Sequence, residues 1–255
     1  MVFLYENAEA KVVFMSGEHE RAARIFYEGA RDGNTEAAFH YGWCLLHGFG
    51  VERDEAEAKS FFTFASELEG GEAAYNLAVM YISGIGVGRN FRRAVEYMKS
   101  SARLGCIEAQ LYLGMAYTLG AVIDPDITSI SLIPYHTPEL RSDTLLLEGD
   151  TAEDPLKEEE ERLSVIKQDP HAAFEYFMQA ARHDPTYVEE LVAKGKYMYA
   201  KCYADGFGVD FDRDKSVRLM LGAVKSGSDE AFRYLAEYGV PINTLGEIKK
   251  LGRLK

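Results

Sequence analysis

Two histidines, three cysteines and a glycine pair are the residues of this chain whose types and spacing could do chemistry. His40 and His47 are seven residues apart. On a helix they share a face but stand about 10 Å apart, at 1.5 Å of rise per residue. One zinc ion cannot span that distance, so the pair is expected to face a groove rather than to hold a metal. Cys44, Cys106 and Cys202 form no Cys-x-x-Cys, and three thiols leave one unpaired under any disulfide scheme. They are expected to be structural thiols in a reducing compartment. The stretch "HGFGVERD", residues 47–54, sets Gly48 and Gly50 around Phe49 and raises the question of a phosphate cradle. A dinucleotide loop needs a further glycine and a preceding strand, however, and a P-loop needs Gly-Lys-Ser/Thr. The sequence has no Gly-x-Ser-x-Gly, no His-Glu-x-x-His and no cysteine–histidine protease pattern. The expectation is therefore a protein that is not an enzyme, with no catalytic residue, no cofactor and no metal site.

The element that carries the histidines recurs. "EAAFHYGWCLLHGFGV" begins at Glu36, "EAAYNLAVMYISGIGV" at Glu72 and "EAQLYLGMAYTLGAVI" at Glu108, a period of 36 without a gap. A fourth copy begins at Lys194 with "KGKYMYAKCYADGFGV", and a partial fifth, "EAFRYLAEYG", at Glu230. Gly48 and Gly50 thereby fall on Gly84 and Gly86 and on Gly206 and Gly208, after an apolar helical stripe such as Ala73, Leu77, Ala78 and Tyr81. Asp54, Asn90, Asp169 and Asp212 then stand where a second helix needs a cap, with Pro170 at a first helical position. Each copy reads as a pair of helices joined by a glycine turn, and small residues at Ala65, Ser101, Ala180 and Ala223 let neighbouring helices approach.

On these residues the chain resembles the Sel1-like repeat (SLR) family, a relative of the tetratricopeptide (TPR) repeat. The pattern of Ala, Leu-Gly, Tyr and Gly-x-Gly-Val is met nearly in full by Ala73 to Val87 and by Gly195 to Val209. The resemblance covers residues 18–120 and 170–239, and departs where Val122 replaces the second glycine of the third copy. It implies an all-α fold, a right-handed α-α superhelix of about five hairpins (a TPR/SLR-type solenoid). It also implies adaptor or scaffold roles in assembling complexes, mostly in bacteria for chains of this plain architecture. In cysteine-rich members each repeat holds a disulfide between its helices, whereas Cys44 and Cys202 here lie in different copies.

Residues 121–170 break the repeat with an acidic, proline-containing insertion. They hold five of the seven prolines and 13 acids against 4 bases, so most of the chain's net charge of -13 is local. A short helix is expected from Asp154, with Leu156, Leu163 and Ile166 docking it. The division by sequence is 1–120, N-terminal hairpins; 121–170, the insertion; 171–239, C-terminal hairpins; and 240–255, a capping helix with a Thr244–Glu247 capping box.

With a net charge of -13 the chain disfavours nucleic acid and anionic membrane surfaces. No apolar run approaches the roughly 20 residues of a membrane span, and no signal peptide is evident at the N-terminus, so a cytoplasmic location is expected. The partner is expected to be another protein or a peptide, neutral or basic. If the core stripe points inward, the other first-helix positions line a concave groove. His40, Trp43, His47, Asn76, Met80, Tyr112, Met115, Met198 and Lys201 are the contacts this reading selects, because aromatic, methionine and histidine side chains dominate where an idle face would show Lys and Glu. The expected function is a protein- or peptide-binding adaptor or scaffold. Two alternatives stand beside it: an inhibitor or immunity-type protein that neutralises a basic effector through the acidic insertion, and an enzyme acting on cell-wall fragments or β-lactams, for which no nucleophile–base pair is found.

Overall fold

The computed structural model describes residues 2–68, 70–123, 155–184, 189–241, 243–246 and 248. Among these, every regular element is helical: α1 (Val2–Met15), α2 (His19–Arg31), α3 (Thr35–His47), α4 (Glu55–Glu67), α5 (Gly71–Ser83), α6 (Phe91–Arg103), α7 (Ile107–Leu119), α8 (Pro155–Val165), α9 (Pro170–Ala181), α10 (Glu189–Asp205), α11 (Arg213–Lys225) and α12 (Asp229–Glu237). This is the all-α solenoid class of stacked helical hairpins. The chain divides into two compact units, one holding α1 to α6 and the other α7 and α9 to α12; the division passes between Cys106 and Ile107 and again between Glu161 and Arg162, within α8.

Local chemistry sets each hairpin. The side chains of Asp54, Asn90, Asp169 and Asp212 accept the backbone N–H three residues on, at 2.8 to 3.0 Å. Each satisfies one of the amide donors that a helix start leaves unpaired. The glycine pairs end the first helices: Gly48 and Gly50 have φ of 74° and 70°, in the left-handed region. The second glycine has a further task. A Cβ on Gly50 would stand 2.2 Å from the carbonyl of His19, and one on Gly208 would stand 2.0 Å from that of Pro170. The turn of one hairpin thus lies against the first turn of the preceding second helix, closer than any side chain permits.

The core of the first unit is built from Phe26, Leu46, Phe62, Leu77 and Met80, interleaved with Ala22, Ala38, Ala58, Ala65 and Ala73. Small residues bring helix backbones together: Ser101 Oγ donates to the carbonyl of Gly71 at 2.7 Å, from α6 to the start of α5. In the second unit a Cβ on Gly114 would lie 2.4 Å from the Phe177 ring, and one on Gly195 would lie 2.9 Å from the Ala180 backbone. Leu235, Met220 and Val224 enclose the far end of that unit, where Leu245 is fully buried and Ile248 packs on the same cluster. Glu247 of the expected capping box, with Lys249, Lys250, Arg253 and Lys255, lies outside the described residues.

Two expectations change. Residues 107–119, placed by sequence order with 1–106, belong to the second unit, because α7 takes α9 as its hairpin partner across the insertion. The helix from Pro155 is present as α8 and Ile166 beyond it is buried, but Leu163 is 54% exposed, and the side chain of Leu156 lies outside those described. Residues 124–154 of the insertion lie outside the described residues.

Candidate partner-binding face

Counting from the first residue of each copy, positions 4, 7 and 11 further on fall on one side of the first helix, about one and two turns apart. They are His40, Trp43 and His47 on α3; Asn76, Val79 and Ser83 on α5; Tyr112, Met115 and Leu119 on α7; and Met198, Lys201 and Asp205 on α10. The two units treat this stripe differently.

In the first unit it is largely closed, with only His47 and Ser83 half-buried. Trp43 is 3% exposed: Phe49 lies flat on it (5.0 Å between centroids, 11° between planes) and Phe14 of α1 meets it edge-on at 5.7 Å. His47 packs against the same indole at 4.5 Å, and His40 stands 4.9 Å from Phe26 of α2. The glycine turn therefore delivers Phe49 onto Trp43, and α1 and α2 fill the space before α3. The two histidines sit in separate aromatic settings. Burial, reinforced by the charge of Lys11, holds His40 down to about 3; burial and Arg53 hold His47 down to about 4. Both are neutral at neutral pH. Asn76 and Met80 are fully buried, and neither the Nδ2 nor the Oδ1 of Asn76 has a hydrogen-bond partner among the described residues.

In the second unit the stripe opens along α7 and α10. Tyr112 is the buried exception, for its hydroxyl donates to the carbonyl of Ile123 at 2.7 Å and accepts from the N–H of Ile123 at 3.1 Å. It pins the chain where the insertion leaves the hairpin. Met115 and Met198 are half-buried, and Leu119 is 65% exposed. Lys201 is half-buried with its ammonium on Asp205 one turn on, at 2.5 Å. Nearby, Lys215 of α11 lies 4.2 Å from the centre of the Tyr203 ring, as Arg93 of α6 lies 5.8 Å from that of Tyr81 in the first unit.

Of the nine residues selected from sequence, His40, Trp43, Asn76, Met80 and Tyr112 are sealed in the fold, and His47 is partly covered by Trp43. Met115, Met198 and Lys201 retain surface. The residues sequence reading passed over are Phe14 and Phe26, which cover the stripe in α3. The signal for Phe14 was the apolar run Val12-Val13-Phe14-Met15, whereas Phe26 stands at the repeat position of Phe62, Met98, Phe177 and Met220.

All three thiols are buried, and none forms a disulfide among the described residues. Burial pushes Cys44 up to about 12 and Cys202 up to about 11, so both stay protonated and unreactive at neutral pH. Among the described residues no group of three or more His, Cys, Asp or Glu is placed to hold a metal ion. No described helix is long and apolar enough to cross a membrane.

The Sel1 repeat family model matches residues 35–69, 71–106, 107–129, 161–185 and 193–228, more than half of the chain. The protein is similar to DAP3-binding cell death enhancer 1 of Rattus norvegicus, 31% identical over 132 residues that make up 52% of this chain and 25% of that one. It is also similar to the ERAD-associated E3 ubiquitin-protein ligase component HRD3A of Arabidopsis thaliana, 32% identical over 83 residues, which are 32% of this chain and 12% of that one. The chain thus spans a quarter or less of the length of these relatives. Among solved structures, a Sel1 repeat protein from Oxalobacter formigenes shares the fold, with a TM-score of 0.64 and 22% identity over 86% of this chain and 50% of that one.

Proposed function

The chain belongs to the Sel1 repeat family, and on that premise we propose that it is a protein-binding adaptor whose partner docks on the first-helix face of the second unit. The observation that carries this reading is the contrast within one stripe. His40 and Trp43 are packed shut under Phe26, Phe14 and Phe49 in α3 and His47 beside them is half-buried, whereas the same repeat positions leave Met115, Met198 and Lys201 half-buried and Leu119 65% exposed on α7 and α10. Methionine and leucine side chains offer large, adaptable contact area, and the Lys201–Asp205 ion pair at their edge offers polar groups that orient a partner. The relatives support it by name: one is called DAP3-binding and the other a ligase component, both designations of association with other proteins.

The test is affinity capture from the native host by the wild type and by a Met115→Glu/Met198→Glu variant, with melting curves of both. Proteins retained by the wild type and lost by the equally stable variant are the result expected. An identical set retained by both overturns this face as the docking surface.

A further inference from the structure

In the first unit, on the second helices rather than on the stripe, a cavity of about 330 Å³ opens between the end of α4 and the outer side of α6. Its walls include Glu67, Ala74, Arg93, Glu96 and Tyr97. The charge of Glu67 is out of register with the repeat. Thirteen residues after the cap position, the second helix carries Arg31, Arg103, Arg182 and Lys225 in the other copies, and Glu67 only here. A basic residue at that point complements the negative end of the helix, and a glutamate opposes it. Among the described residues neither Glu67 nor Glu96 takes part in a hydrogen bond or an ion pair, and the guanidinium of Arg93 acts on Glu96 only through its charge. Local rules broken without compensation concentrate where a protein acts.

The other walls show what would fill the space. Arg93 is already engaged, its Nη1 donating to the Tyr81 hydroxyl at 3.2 Å. The rings of Tyr81 and Tyr97 lie parallel, 5.8 Å apart and 8° from coplanar. Among the described lining residues two carboxylates and one guanidinium leave one net negative charge beside an aromatic face and a helix C-terminus. Burial first, then the neighbouring Tyr81, Glu67 and Glu96 against an opposing pull from Arg93, raise the Tyr97 phenol.

We propose that this pocket receives an arginine side chain presented by a partner protein, with the guanidinium between Glu67 and Glu96, its plane against Tyr97 and its aliphatic stem on Ala74. A guanidinium suits the site better than an ammonium because it is planar, stacks on aromatic rings and offers donors to two carboxylates at once. Its single charge offsets the excess carboxylate among the described lining residues. The pocket shares no residue with the Met115–Met198 face, and its test needs no partner, so either reading can fail without the other.

The probe is N-acetyl-arginine N-methylamide, titrated into the full chain and followed by amide chemical shifts. Saturable shifts are expected at Ala74, Tyr97 and Ser100, absent with the norleucine analogue and several-fold weaker with the lysine analogue. Glu67→Arg, which restores the residue type of the other copies, is expected to abolish the shifts and to raise the melting temperature. Glu96→Gln, an exposed change on α6, is expected to weaken binding several-fold with the fold intact. No saturable shift, an equal response to the lysine analogue, tighter binding of free arginine than of the blocked form, or an unchanged titration in Glu67→Arg overturns the proposal.

Discussion

Asp169 donates its backbone N–H to the carbonyl of Tyr117 at 3.0 Å, across fifty-two positions of sequence. The same bond joins Asp54 to Leu45, Asn90 to Tyr81 and Asp212 to Tyr203, each across nine. Forty-three additional residues are therefore spliced into the glycine turn of the third hairpin, which is otherwise closed like its neighbours. From Asp169 to Asp212 is forty-three positions against a period of 36, and four of the remaining seven lengthen α10, which has 17 residues where α3, α5 and α7 have 13. The two ends of the larger splice are held together: Val122 N–H donates to the Arg162 carbonyl at 3.1 Å, and the Gln168 side-chain amide donates to the Thr118 carbonyl at 3.0 Å.

Because those bonds tie the ends, residues 124–160 can be replaced by a short Gly-Ser linker without loss of the hairpin. Loop closure entropy changes slowly with length, by about 0.6 kcal/mol per doubling. The expected result is cooperative unfolding with a melting temperature within a few degrees of the parent. Calorimetry showing the second unit unfolded in the shortened protein would refute the splice. The same variant tests the acidic-arm alternative, since loss of a salt-sensitive partner on deletion would favour it.

Gly50→Ala is expected to cost more than Gly17→Ala, measured by urea unfolding. Both glycines have positive φ, but a Cβ at Gly17 meets nothing within 4 Å whereas one at Gly50 overlaps the His19 backbone at 2.2 Å. The conformational term alone is about 1 kcal/mol, and the overlap adds about 1–3 kcal/mol of overpacking. Equal losses at the two positions would show that the close approach carries no cost.

Acid should destabilise the first unit well before its carboxylates protonate. The folded-state values of His40 (about 3) and His47 (about 4) lie below the usual 6.5. Below that usual value the unfolded chain binds protons that the folded chain refuses, so stability falls as pH falls. Both histidines contribute from about 6.5 down to about 4, and His40 alone continues to about 3, at up to about 1.4 kcal/mol per pH unit for each. Urea midpoints across pH 4 to 7 should slope accordingly, and His40→Gln should flatten the slope. A slope unchanged in that variant would assign it elsewhere.

Trp43→Ala is expected to remove about 3–5 kcal/mol of stability while leaving partner affinity of the folded protein unchanged. Met198→Glu should do the reverse. Binding measured at a temperature where both variants are folded separates the two, and weakened binding in Trp43→Ala alone would return the docking surface to the first unit.

Much of the hairpin was legible beforehand, and the residues say why. Asp54, Asn90 and Asp212 cap the helices that follow them, and Ala65, Ser101, Ala180 and Ala223 are all fully buried where helices meet. Caps, left-handed glycines and small contact residues act within a few positions of themselves, so one copy predicts the next. Trp43 and Asn76 misled because a periodic stripe gives the direction of a side chain and not what stands in front of it.

The sequence by itself determined the period, the two-helix unit, the glycine turns and the place where regularity breaks, since each rests on short-range backbone chemistry repeated in register. Only the tertiary structure decided that α9 completes the hairpin of α7, and which members of the stripe keep their surface. Those outcomes depend on chain distant in sequence: Phe14 and Phe26 cover Trp43 and His40 from α1 and α2, while Met198 on α10 keeps part of its surface. Burial is a property of the neighbours a residue acquires on folding, and no local pattern carries it.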